Sequence, residues 1–148
     1  MLHNTRWLIV ILLIIAGLQL SACSSVETSE AATENASVVE PIEGTELNRV
    51  LLSERAAERL DIQTTQVSEE QVDGTSRLVV PYSAVIYDLE GNTWMYISPE
   101  PLTFVRESIM VDFIEGDTAV LVDGPASGTE VVTVGVPELY GADTGIGK

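Results

Sequence analysis

From Arg77 onward, short apolar segments alternate with clusters of Gly, Pro, Asp and Glu, and no helical period survives that punctuation. Segments of this length, rich in β-branched and aromatic residues, read as strands, and several in succession read as a small antiparallel barrel or roll. Leu78–Ile86 is the first, with Pro81 marking a strand start, edge or bend because proline donates no ladder bond. Asp88–Asn92 is a hairpin turn. Thr93–Ser98 then returns with Trp94 and Tyr96 on one face and Met95 and Ile97 on the other, the alternation of a strand covered on both sides. Pro99-Glu100-Pro101 turns the chain, Thr103–Ile114 is a long strand, and Glu115-Gly116-Asp117 is a tight turn. Thr118–Val122 is a short strand, Asp123–Gly128 a loop, and Val131–Val136 closes the sheet.

Upstream, Leu47, Val50, Leu51 and Leu52 form a short apolar segment, so order is expected to begin near Glu46. Ser53 followed by Glu54 is a helix N-cap with an acid in the first turn, which predicts a two-turn helix over Glu54–Leu60. Ile62–Val67 reads as a strand and the polar run Ser68–Ser76 as a connection. The expected fold is mostly β, a small antiparallel barrel or roll with one short helix, occupying residues 46–148.

The amino-terminal residues differ in kind. Arg6 precedes an uncharged run, Trp7–Ala16, and small residues lead into Leu20-Ser21-Ala22-Cys23, the only cysteine of the 148-residue chain. Basic start, apolar centre and small-residue exit are the parts of a secretory signal peptide, and the last four residues resemble a bacterial lipobox. That resemblance implies cleavage after Ala22 and lipid attachment at Cys23, with residues 1–22 as the signal peptide. An uncleaved span is the competing reading, but the apolar stretch is short of the ~20 residues a span needs. Residues 23–45 follow as an acidic tether: Ser24–Thr45 carries five acids, no base and no aromatic residue. Such a composition buries too little surface to offset the entropy of ordering.

The chain carries 23 acids against seven bases, a formal charge of −16. Removing residues 1–22 takes away Arg6 and no acid, which leaves −17. A surface of that sign repels nucleic acid and anionic headgroups, so no nucleic-acid partner is expected and membrane residence falls to the lipid. His3 lies in the signal peptide, and no nucleophile and base occur in a recognisable catalytic frame, so no enzymatic activity is expected. Glu69 with Glu70 and Glu115 with Asp117 read as solvated turns, and Gly124–Gly128 as a turn without the base or helix of a phosphate cradle.

No cofactor or metal is expected. Met95 and Met110 read as core fillers, because soft-metal sites want several converging sulfur ligands. Asp112, Glu115, Asp117 and Asp123 match no calcium-loop spacing and read as an acidic surface. Tyr82, Tyr87, Trp94, Tyr96 and Phe104 read as core rather than as an exposed recognition patch, with Trp94 foremost. Arg77 and Arg106 are expected to pair with neighbouring carboxylates.

Ala57–Thr64, Val80–Asp88 and Gly91–Tyr96, followed by Phe104-Val105-Arg106, Gly128–Gly135 and Glu138–Gly141, together resemble the periplasmic adaptor (membrane fusion) subunits of efflux transporters. Full adaptors insert a helical hairpin and a lipoyl-like domain between the first two of those segments. Here only Thr65–Val79 stands between them, too little for either. The resemblance therefore implies the membrane-proximal β domain of an adaptor, without the parts that reach an outer channel. It implies a lipid-anchored accessory on the extracytoplasmic side of the membrane that docks on an efflux or ABC-type exporter. A free-standing lipoprotein that captures a cation or small ligand is the alternative.

Overall fold

The turns fall largely where Gly, Pro and Asp place them, and the segments between them join into one ten-stranded sheet. The structure, a computed structural model, describes residues 35–146. The expected signal peptide, Cys23 and the first part of the tether lie outside the described residues. The strands are β1 (Ser37–Pro41), β2 (Asn48–Leu52), β3 (Gln63–Gln66), β4 (Ser68–Val72), β5 (Thr75–Pro81), β6 (Ile86–Tyr87), β7 (Thr93–Glu100), β8 (Thr103–Glu115), β9 (Thr118–Asp123) and β10 (Glu130–Val134). Two helices accompany them, α1 (Glu54–Arg59) and α2 (Val136–Thr144), with a 3-10 turn at Tyr82–Ala84.

Every strand pairing among the described residues is antiparallel. The main path runs β3-β10-β7-β8-β9-β5-β4, and β2 joins it at β8. Thirteen-residue β8 is the spine: its first part pairs with β7 and β2, its last part with β9. Strands far apart on this path meet in one core, where Val131 of β10 and Met95 of β7 pack with Ala119 and Leu121 of β9 and Val80 of β5. A flat sheet cannot bring those residues together. The sheet curls into a half-barrel, and this core fills the curl.

The second core lies on the opposite face of β7, where Tyr96, Val50, Phe104 and Val132 pack against Ala56 of α1 and Val136 and Leu139 of α2. Period-2 alternation on β7 thus feeds both cores: Met95 and Tyr96 are adjacent, wholly buried, and face opposite ways. The helix at Glu54 starts as expected, with the Ser53 hydroxyl accepting from the Ala56 amide at 3.3 Å.

Four expectations change. Ser37–Pro41, assigned to the tether, is a strand hydrogen-bonded along β2, with half-buried Val39 packed on the helix-covered core. The folded part therefore starts before Glu46. Ser68–Ser76 is not a plain connection but the hairpin β4–β5, turned by Asp73 (φ 51°) and Gly74 (φ 78°). Asp-Gly suits a turn with two positive φ angles, while the polar β4 sequence conceals the strand because it forms a sheet edge. The Pro99–Pro101 turn is shorter than expected, since β7 extends to Glu100 and Leu102 takes a φ of 60°.

The last strand stops at Val134, and Val136 begins a second helix. Gly135 separates them at φ 84°, in the left-handed region, and a Cβ there would crowd the Leu60 carbonyl and the Ile62 side chain. Pro137 in the first turn and Gly145 in the left-handed region after the last residue bound α2. Its buried residues Val136, Leu139 and Asp143 recur at helical spacing. Among the described residues no helix is long and apolar enough to cross a membrane.

Candidate functional site

On the reverse face of the β5–β9–β8 part of the sheet, register decides which apolar side chains reach the surface: Val79 and Val120 are buried there, while Phe113 is exposed. Val80, Ala119 and Ile114 stand side by side across the three strands, and Val80 and Ala119 face the core inside the curl. The adjoining row, Val79, Val120 and Phe113, points the other way. Val111 opposes Leu121 and Phe113 opposes Val120, so Asp112 is an extra residue on β8. Such a bulge resets which side chains face outward. Val122 is the extra residue on β9.

Arg77 braces this irregular stretch. Its guanidinium donates to Asp112 Oδ2 at 2.7 Å and to the Leu121 carbonyl at 3.2 and 3.3 Å. The result is a hairpin with Met110 57% and Val122 56% exposed, and Phe113 and Ile114 about two-fifths exposed. Single exposed apolar residues are ordinary on protein surfaces. Ile114 belongs to the row of Val80 and Ala119 on the inner face, so the candidate contact surface on the outer face is Met110, Phe113 and Val122. Met110 is thus not the core filler it was expected to be, whereas Met95 is.

The acids flagged in this region are all exposed. Asp112 is paired with Arg77, while Glu115, Asp117 and Asp123 take no part in an ion pair among the described residues. Among those residues no three His, Cys, Asp or Glu side chains are placed to hold a metal. Glu107 is raised above the ordinary glutamate range, first by burial and then by the charge of Asp123.

The five aromatic candidates separate. Tyr96 and Phe104 are buried, as expected, but Tyr82 and Tyr87 are 42% and 49% exposed. The Tyr82 amide donates to the Asp117 carbonyl at 2.7 Å, which holds this tyrosine beside the β8–β9 turn. Burial, followed by a hydrogen bond with Tyr82, raises Tyr87. Trp94 is only half-buried: its indole N–H donates to Asp88 Oδ2 at 2.9 Å, and the Arg106 guanidinium lies 4.7 Å from the ring centroid. Asp88 is held down at about 2, chiefly by the Asn92 side-chain amide and also by the Trp94 indole.

A buried polar node fastens α2 to the sheet. The Tyr96 hydroxyl donates to Asp143 Oδ2 at 2.7 Å, and Asn48 Nδ2 donates to Asp143 Oδ1 at 3.0 Å. Arg106 Nε stands 3.5 Å from Asp143 Oδ2, an ion-pair distance without hydrogen-bond geometry, and is buried with no hydrogen-bond partner among the described residues. Burial, then the bond to Asp143, pushes the Tyr96 hydroxyl far above its usual range. This phenol stays protonated and serves as a donor. With its carboxylate already engaged by two donors, the node joins elements rather than presenting a reactive group. Both Arg77 and Arg106 pair with carboxylates, as the scarcity of bases in an acidic chain led one to expect.

A small apolar cleft of about 130 Å³ lies among β1, α1 and α2, lined by Leu52, Ala56, Leu60 and Ala142 with Arg59. A more polar groove of about 320 Å³ runs between β3 and the β5–β9 pair. Cys23, the expected lipid-attachment residue, and His3 lie outside the described residues. Sequence reasoning missed the outward apolar face because Met110 reads as a core filler from its chemistry alone, and because alternation along β8 does not anticipate the bulge at Asp112 that turns Phe113 outward. The only signal was the length of the Thr103–Ile114 run, longer than most strands. Comparison with family models, with characterised proteins and with solved structures returns no match to this chain.

Proposed function

We propose that this chain is a lipid-anchored, adaptor-like binding protein on the extracytoplasmic side of the membrane, docking on an efflux or export transporter by protein–protein contact. The observation that carries the reading is the apolar β8–β9 face, exposed on rigid, paired strands rather than on a loop. Rigid presentation lowers the ordering cost of binding. The lipobox-like Leu20–Cys23 supports anchoring at Cys23, and anchoring confines the domain to the surface where a transporter's external part is found. The ordered series of segments resembling adaptor subunits supports a transporter as partner, and the role is binding rather than catalysis. A photoreactive residue at position 113, activated in cells, tests this. The expected result is a crosslink to a transporter subunit that weakens in a Cys23→Ser form. A well-folded, abundant protein that crosslinks to no transporter would refute the reading.

A further inference from the structure

We infer that the β8–β9 face takes a partner protein surface that is apolar at its centre and rimmed by lysine or arginine. This rests on the docking reading above and adds the chemistry of the partner. Met110, Phe113 and Val122 supply the apolar centre; Glu115 at the end of β8 and Asp117 in the β8–β9 turn stand exposed at one end of the hairpin, and Asp123 at the end of β9 stands exposed at the other. None of these three acids is in an ion pair among the described residues, whereas Asp112 is already neutralised by Arg77.

Charge then separates the possible occupants. A second copy of this chain would bring the same acids against these ones, and like charges across an interface oppose association. An anionic bilayer surface is repelled for the same reason. A basic-rimmed protein surface offsets all three charges while the centres of both faces leave water. Screening at physiological salt acts over about 8 Å, so the acids at this rim steer only a partner that approaches this face closely. Arg77 braces the bulge that turns Phe113 outward through Asp112 and the Leu121 carbonyl.

The test uses the full chain in phosphatidylcholine nanodiscs and three fluorescent synthetic helical peptides, read by anisotropy. One has a leucine face rimmed by lysine, the second the same face rimmed by glutamate, and the third a lysine rim around a serine face. The lysine-rimmed leucine peptide is expected to bind saturably and the other two to fail. Phe113→Ser and Val122→Ser, each checked by its melting curve, are expected to weaken that binding about tenfold or more, as loss of a central apolar contact does. Equal binding of the glutamate-rimmed peptide would overturn the charge argument and leave the docking face standing. Equal binding of the lysine–serine peptide, unmoved by Phe113→Ser, would reduce the effect to diffuse attraction and overturn the inference. Sedimentation showing a dimer that Phe113→Ser dissolves would overturn it in favour of self-association. Failure of the transporter reading shows separately, in the cellular crosslink.

Discussion

Removing the Tyr96 hydroxyl takes one donor from a carboxylate that is wholly inside the protein. Tyr96→Phe deletes the 2.7 Å bond to Asp143 and leaves Asn48 and Arg106 in place. A hydrogen bond to a charged group contributes about 1.5–3 kcal/mol, so a loss near 2 kcal/mol is expected. With an unfolding entropy of about 2.1 cal/mol/K per residue and ~110 ordered residues, each kcal/mol moves Tm by about 4 °C, and the variant should melt about 8 °C lower. Asp143→Ala removes the acceptor itself and strands both the buried hydroxyl and Arg106, a loss of about 3–5 kcal/mol. In the double variant no hydroxyl remains to be stranded, so its cost should stay close to that of Asp143→Ala alone. The cycle then yields a coupling of about 2 kcal/mol, measured by urea denaturation followed by circular dichroism. Additivity to within about 0.5 kcal/mol would show that the two groups do not act as one node, and would refute the assignment of α2's attachment to this contact.

Gly135→Ala puts a side chain in the left-handed region and crowds the Leu60 carbonyl, so a loss of about 1–2 kcal/mol is expected, seen as a Tm about 4–8 °C lower. Trp94→Ala should cost about 2 kcal/mol in urea denaturation, roughly half the loss expected for a fully buried ring, because this one is half-exposed. Glu107→Gln should raise Tm at pH 7. Glu107's carboxyl titrates above its unfolded value in the folded chain, so its favourable contribution is complete below about pH 4.5 and fades as pH rises through the folded pKa. The Tm gap between Glu107→Gln and the parent should therefore close as pH falls below about 4.5. Asp88 works in the opposite sense: its folded value of about 2 means its contribution is present above about pH 4 and lost between about 4 and 2, and Asn92→Ala should raise that value in a carboxyl NMR titration.

Much of the succession of strands and turns along the chain was legible in the sequence, though not their order in the sheet. Asp88–Asn92, Glu115–Asp117 and the Ser53 cap are local signals, decided by backbone preferences that act over four or five residues. The double-sided alternation of Trp94–Ile97 also anticipated a strand with a core on each face. Elements whose stability comes from a distant partner were not legible. Ser37–Pro41 has only two valines to mark it and exists as a strand because β2 supplies its hydrogen bonds. Ser68–Val72 is almost wholly polar, and β5 holds it in the sheet.

The candidate surface shows the same division more sharply. Sequence alone determined that the chain is mostly β and strongly acidic, because composition and turn chemistry are properties of residues and their immediate neighbours. Which face each strand turns to solvent was decided by tertiary structure. One inserted residue at Asp112, held by an arginine 35 positions earlier in the chain, sends Phe113 outward. Asp143 likewise looks in sequence like another surface acid. Inside the fold it is an anchor, because Tyr96, 47 residues away, brings a hydroxyl to it and burial raises the strength of that bond.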